Sequence, residues 1–492
     1  MMCLPLLCLA ALRFTSQEIP AVYVGVVDPL TAEAATNFVQ ADLDRDGADD
    51  LVLAGMVLFQ EAGGFPPERR VPLPQPDAPA DIDVWRGALY LRSQNSLAIY
   101  RWTQGGWETV VGQPLSWPAQ PPDLSEEKRR LQRYLHDVDG NGDPELIAVD
   151  PAGIHVFSRN QESEVYAERA VWRILPPLDL VQEEQQQLWP APRRRLLFPA
   201  REMSARFFLQ ANRISVLSQD LETASSRGYV RTDYSVAAGQ AWELDPAASS
   251  TQATPSMPAF LRPCRLNNDD VIDYAGGVWQ ESKASAYPLP VYETWATLDG
   301  GATFKVVREP SFQRLRPHCS FLDVDGDGDK DLVSESATLF QGGPREMIAQ
   351  LLTRSVLDHV LRVYAQESGG FSKAPAVEGQ VRINLDAAPY LNGPMFQRYQ
   401  LGELINFTGD FNGDGWKDVV VREEPERVRL FLSAPGRLGG ALETTWSVPG
   451  PADIRVYDIN HDGRGDLLVQ PKQAQQAQTP GSLVYFSREE AS

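Results

Sequence analysis

Apolar and polar residues alternate with period two along most of this chain, and short acidic stretches interrupt the alternation at intervals. "NFVQA" (37–41), "CSFL" (319–322) and "DIRVY" (453–457) each lead into an acidic stretch, while "LVLAG" (51–55), "LIAVD" (146–150) and "VVVRE" (419–423) follow one. Period two on both sides of an acidic segment predicts strand, loop, strand. Glycine-rich turns at Gly63-Gly64-Phe65, Gly105-Gly106-Trp107, Gly300-Gly301 and Gly369-Gly370-Phe371 lie between further strand-like pieces and predict hairpins. The stretch from Asp323 to Gly369 is much longer than that from Asp42 to Gly63. Its excess contains Met347, Ile348, Leu351, Leu352 and Val356 at helical spacing, which predicts an inserted helix at about 344–359.

The acidic stretches are copies of one another. "DLDRDGADDL" begins at Asp42, "DVDGNGDPEL" at Asp137, "DVDGDGDKDL" at Asp323, "DFNGDGWKDV" at Asp410 and "DINHDGRGDL" at Asp458. A worn copy, "RLNNDDVIDY", begins at Arg265, and spacing places two more degenerate units near Asp83 and residue 199. Eight units of four strands result, with seven blades as the alternative count. The last unit ends after "SLVYFSRE", its third strand, whereas "AVYVGVV" near the start is a strand with no unit of its own. Letting that strand complete the last unit closes a ring, so the expected fold is an all-β propeller of four-stranded blades in one domain, residues 19–492.

Within each stretch, acids or amides fall at positions 1, 3, 5 and 9, with glycine at position 6. The sets are Asp42, Asp44, Asp46 and Asp50; Asp137, Asp139, Asn141 and Glu145; Asp323, Asp325, Asp327 and Asp331; Asp410, Asn412, Asp414 and Asp418; and Asp458, Asn460, Asp462 and Asp466. In a tight loop these side chains converge on one point, and a carbonyl at position 7 adds an oxygen. An all-oxygen, carboxylate-rich cage suits calcium, whereas zinc would call for His or Cys and magnesium keeps its waters. About five Ca2+ sites are expected. An EF-hand would place Glu at position 12, where this chain has Leu53, Ala148, Ser334, Val421 and Val469. Solvated Asp/Gly turns are the alternative for any one loop, but five copies of the full spacing favour the metal. The loop at 265 is expected to stay empty, since Arg265 replaces the first ligand and Asp270 the glycine.

Composition narrows the remaining choices. The 492 residues carry 45 basic and 66 acidic side chains, a net charge of -21, which opposes binding to nucleic acid. The apolar run from Leu4 to Leu12 is too short to span a bilayer and reads as the core of an export leader over residues 1–18. No transmembrane segment follows. Beyond the leader only Cys264 and Cys319 remain, and spacing does not say whether they pair. The chain shows no zinc-protease spacing, nucleophile elbow or phosphate loop, so no catalytic residues are assigned. Trp416, at position 7 of a loop, is the best placed of the tryptophans to stack on a sugar. Arg464-Gly465-Asp466 spells an adhesion tripeptide, yet Asp466 is already a loop ligand.

These loops resemble those of the FG-GAP/VCBS repeat family, whose calcium-loop propellers include the integrin α-subunit head. The resemblance covers roughly residues 20 to 490, strongly in five loops. It implies a secreted, periplasmic or cell-surface propeller braced by calcium. The expected role is a monomeric, non-enzymatic binding, adhesion or scaffold module for an extracellular protein or carbohydrate. A polysaccharide-active enzyme of lyase type on the same ring is the alternative. Three units lack a good loop, which leaves open which face binds a partner.

Overall fold

A computed structural model describes, with short interruptions, residues 12–25, 36–116, 130–172, 196–298, 305–338, 356–384, 405–449 and 452–488. Among the described residues eight main sheets, here blades 1 to 8, follow one another along the chain, all antiparallel except where Arg130–Leu131 joins Asp81–Trp85 of blade 2 in parallel. Blade 1 is built from Phe38–Ala41, Asp50–Leu53, Met56–Leu58 and Arg70–Pro72. Blade 8 takes Ala452–Tyr457, Asp466–Pro471 and Ser482–Arg488 from the C-terminal end, and Arg13–Ile19 from the other end pairs antiparallel with Ser482–Arg488. The ring therefore closes by joining the two ends of the chain.

Among the described residues, sheet faces are buried between neighbouring blades. In blade 1, Phe38, Leu51 and Leu53 pack with Ile459, Leu468, Val484 and Phe486 of blade 8. The intervening Val39 and Val52 pack with Ile82, Val84, Leu89 and Leu91 of blade 2. Period-two alternation thus decides which neighbour a side chain meets rather than separating core from water. The same arrangement joins blades 2 and 3, 5 and 6, 6 and 7, and 7 and 8.

Three expectations change. The closing strand is Arg13–Ile19, not "AVYVGVV", and the leader boundary at residue 18 falls inside it; residues 1–11 lie outside the described residues. The chain must then cross from the last strand of blade 8 to the first of blade 1. Residues 21–24 make that crossing, pinned by Ser482 on both backbone groups of Val22 and by Gln470 on both of Val24. In blade 2, Asp83 lies within the first strand, Asp81–Trp85, and the shortened loop is the two-residue turn Arg86-Gly87, with φ 45 and 72. The expected helix loses its end: Val356–Tyr364 is a strand held between Asp331–Thr338 and Val377–Asn384, so sheet pairing overrides the helical spacing there. The segment carrying Met347, Ile348, Leu351 and Leu352 lies outside the described residues. Cys264 is buried and free of any disulfide. Among the described residues no helix is long and apolar enough to cross a membrane.

Candidate metal centres

All five acidic loops connect the first strand of a blade to its second, so the same end of each sheet carries them. Their backbones coincide closely. The position-6 glycines Gly47, Gly142, Gly328, Gly415 and Gly463 have φ between 87 and 94, a left-handed conformation that glycine adopts without a Cβ penalty. Each donates its N–H to the position-1 carboxylate, at 3.2 Å for Asp42, 3.0 Å for Asp137, 3.1 Å for Asp323, 2.8 Å for Asp410 and 2.9 Å for Asp458. The position-5 side chains Asp46, Asn141, Asp327, Asp414 and Asp462 are exposed and accept the N–H of position 7.

Position 9 behaves differently. Asp50, Asp418 and Asp466 have no solvent exposure, Glu145 has 1% and Asp331 3%. Every one accepts the N–H of position 2 in its own loop: Leu43 to Asp50 at 2.9 Å, Val138 to Glu145 at 2.8 Å, Val324 to Asp331 at 3.4 Å, Phe411 to Asp418 at 2.7 Å and Ile459 to Asp466 at 3.0 Å. The second oxygen of four of them takes an N–H from a later part of the blade, from Gln60, Gln366, Ser433 and Ser487. These acids are braces as well as ligand candidates. The apolar residue at position 2 is buried in all five loops, a positional signal present in the sequence itself. It anchors each loop so that its N–H faces the carboxylate.

Carboxylate oxygens of three side chains converge in three of the five loops, and among the described residues the loops at 410 and 458 form no such group. One oxygen from each of Asp42, Asp44 and Asp50 lies within 4.8 Å of the others, and the same holds for Asp137, Asp139 and Glu145, and for Asp323, Asp325 and Asp327. In the third set Asp331 stands apart, engaged in its brace. In the loops at 410 and 458, Asn412 and Asn460 donate their amides to Asp414 and Asp462, at 3.0 Å each. One ligand is already compensated: Arg69 grips Asp44 at 2.6 Å, which lowers the need for an ion in the first loop.

The electrostatics are unfavourable without a cation. Burial pushes the carboxyls of Asp50, Asp331 and Asp418 up to about 7, and that of Glu145 to about 8, with acidic neighbours in the same loop adding to the effect. Asp458 is raised to about 6, and Asp466 is pushed well above the usual carboxylate range, again by burial first. Among the described residues the five position-9 carboxylates make no ion pair. Asp137 Oδ1 is buried with no hydrogen-bond donor against it. An all-oxygen donor set holding buried, uncompensated carboxylates fits a hard cation such as calcium.

The worn loop keeps the brace: Leu266 donates to the buried Asp273 at 2.8 Å, while Arg265 and Asp270 lie outside the described residues. Trp416, the tryptophan best placed to meet a sugar, is used for packing, as are Trp85 and Trp107. Trp416 lies against the core between blades 6 and 7, Trp85 against that between blades 2 and 3, and Trp107 edge-on to Trp102 with its Nε1 on Pro72 O. The Arg464-Gly465-Asp466 tripeptide is not presented, because Asp466 is buried and Arg464 Nη1 donates to Asn412 O at 2.8 Å.

A family profile described as an FG-GAP-like repeat matches residues 410–469, the part of the chain that holds the loops at 410 and 458. No curated protein sequence matches the chain. Among solved structures, a Tc holotoxin pore of Photorhabdus luminescens aligns with 81% of this chain at 14% identity and a TM-score of 0.29. This chain spans 17% of the length of that one. The comparisons thus place an FG-GAP-like repeat over residues 410–469 of an eight-bladed all-β ring with several acidic clusters able to chelate a cation.

Proposed function

We propose that this protein is an exported calcium-binding propeller that acts as a binding or scaffold module rather than as a catalyst. About five Ca2+ ions are held, one in each loop beginning at 42, 137, 323, 410 and 458. The observation that carries the reading is the set of five buried position-9 carboxylates, each beside acids of its own loop and none in an ion pair. Repulsion of that kind is tolerable only when a cation or protons neutralise it. A divalent ion does so at neutral pH, and it ties the first strand of the blade to the second. The ring is then a rigid support whose connections are free to carry a partner, an extracellular protein or a glycan. Export rests on the apolar run Leu4–Leu12.

Calorimetric titration of metal-stripped full-length protein with calcium, read together with elemental analysis of the loaded protein, tests the reading. Between three and five bound calcium ions support it. A protein that takes up no calcium refutes it. Incubation with a panel of polysaccharides tests the non-catalytic part, and turnover of any polymer overturns that part alone.

A further inference from the structure

The loops beginning at 323, 410 and 458 are each joined to the loop of the preceding blade through position 8. Its backbone N–H reaches back to the loop of the preceding blade: Lys330 donates to Leu266 O at 2.8 Å, Lys417 to Val324 O at 2.9 Å and Gly465 to Asp410 O at 2.6 Å. Leu266 and Val324 use their own N–H to hold the position-9 carboxylate of their loop. At the third link, the peptide whose carbonyl is Asp410 O supplies the Phe411 N–H that holds Asp418. A chain therefore runs from Asp273 through Asp331 and Asp418 to Asp466, alternating carboxylate, position 2, and position 8 of the next blade. Side chains and close approaches reinforce it. Arg464 of blade 8 donates to Asn412 O in the loop of blade 7, and a Cβ on Gly326 would lie 3.0 Å from Gly415 O.

The loop of blade 3 is outside this chain. Its position 8 is Pro144, which has no N–H to donate, and the blade before it has only the Arg86-Gly87 turn.

We propose that the loops beginning at 323, 410 and 458 bind calcium as one positively cooperative array, while the loop beginning at 137 binds on its own. The proposal rests on the calcium reading above. An ion in one loop fixes its position-9 carboxylate and the position-2 residue bonded to it. That residue or its peptide neighbour accepts the position-8 N–H of the next loop, so the next ion meets a loop already in place. The ordering cost is then shared, which is positive coupling between sites through contiguous hydrogen bonds. The loop of blade 5 anchors one end through the brace from Leu266 to Asp273.

Calcium isotherms of the full chain and of Lys417→Pro test the proposal. Proline is suited to position 8, because Pro144 occupies it in a loop whose position-6 glycine has φ 92, against 89 for Gly415. Lys417 contributes no ligand. The wild-type isotherm should show a Hill coefficient above one. Lys417→Pro should bind the same number of ions, with the Hill coefficient falling toward one and the cooperative sites weakened about tenfold, within the range of about 5–150-fold usual for coupled sites. If that variant does not fold, the half-exposed Arg464→Ala should show a smaller change of the same sign. An unchanged isotherm in whichever variant folds, with the ion count preserved, overturns the coupling and leaves the calcium reading standing. Absence of calcium uptake by the wild type overturns both.

Discussion

Replacing Asp418 by alanine separates the two duties of a position-9 acid. The carboxylate accepts Phe411 N–H at 2.7 Å and Ser433 N–H at 2.8 Å, both inside the sheet, and has no exposed surface. Its loss leaves two buried donors unpaired, at about 1–3 kcal/mol each, or about 2–6 kcal/mol together. Against this stands the cost of keeping the group ionised. Asp418 titrates at about 7 in place of 3.8, and at about 1.4 kcal/mol per pH unit an ionised Asp418 costs the metal-free fold about 4 kcal/mol at pH 8. With calcium present that cost is cancelled, so the brace term stands and Asp418→Ala should destabilise by about 2–6 kcal/mol, with the loss of one ion besides. With chelator at pH 8, relief and loss nearly balance, and the variant should differ from the wild type by no more than about 2 kcal/mol. Denaturant unfolding, followed by tryptophan fluorescence in both conditions, measures the two differences. Equal destabilisation with and without calcium would refute the reasoning, since the ionised carboxylate would then carry no penalty for an ion to remove.

The same values fix a pH dependence. The folded, metal-free chain holds protons on Asp50, Asp331, Asp418 and Glu145 more tightly than the unfolded chain does. Its stability should therefore rise as pH falls from about 8 to about 5 and drop as pH rises through 7 to 8, the reverse of the usual acid lability; a melting temperature that falls steadily on acidification in chelator would contradict it. Asp325→Ala removes a side chain that braces no distant strand. It should cost one calcium ion by elemental analysis while leaving the chelated melting temperature within about 2 °C, a surface-sized effect. Gly463→Ala meets no atom within 4 Å and should lose only the left-handed backbone term, about 1–2 kcal/mol by denaturant unfolding. Gly409→Ala, whose Cβ would overlap Val456 Cγ1, should lose more. Removing residues 1–18 strips the outer strand from blade 8 and should make Ser482–Arg488 the first site of limited proteolysis, a change that an intact ring would not show.

The propeller was legible because its repeat is written twice, once as D-x-D-x-D-G spacing and once as period-two alternation on either side. Each copy specifies strand, turn and strand locally, and a blade of this kind can bury both faces only against other blades. The acidic loop positions were legible for the same reason: glycine at position 6 and acids or amides at 1, 3 and 5 fall within a few residues of one another. Position 9 was expected to be a ligand and not a brace, because Gln60, Gln366, Ser433 and Ser487 lie outside the loop and leave no trace in its spacing.

Local pattern could not choose the closing strand. "RFTSQEI" and "AVYVGVV" both read as strand, and the more apolar one was expected to pair. The choice fell to Arg13–Ile19 because the chain must still cross the seam to reach Phe38, and Val22 and Val24 bury themselves in that crossing. Likewise, helical spacing up to Val356 yielded to two flanking strands with free edges. By itself, then, the sequence specified the repeating unit and the acidic spacing of each loop, and favoured eight blades over seven, all from patterns near in sequence. Tertiary structure decided which end seals the ring, which carboxylates are buried enough to need a cation, and how one loop reaches the next, since those depend on backbone groups brought together only when the circle closes.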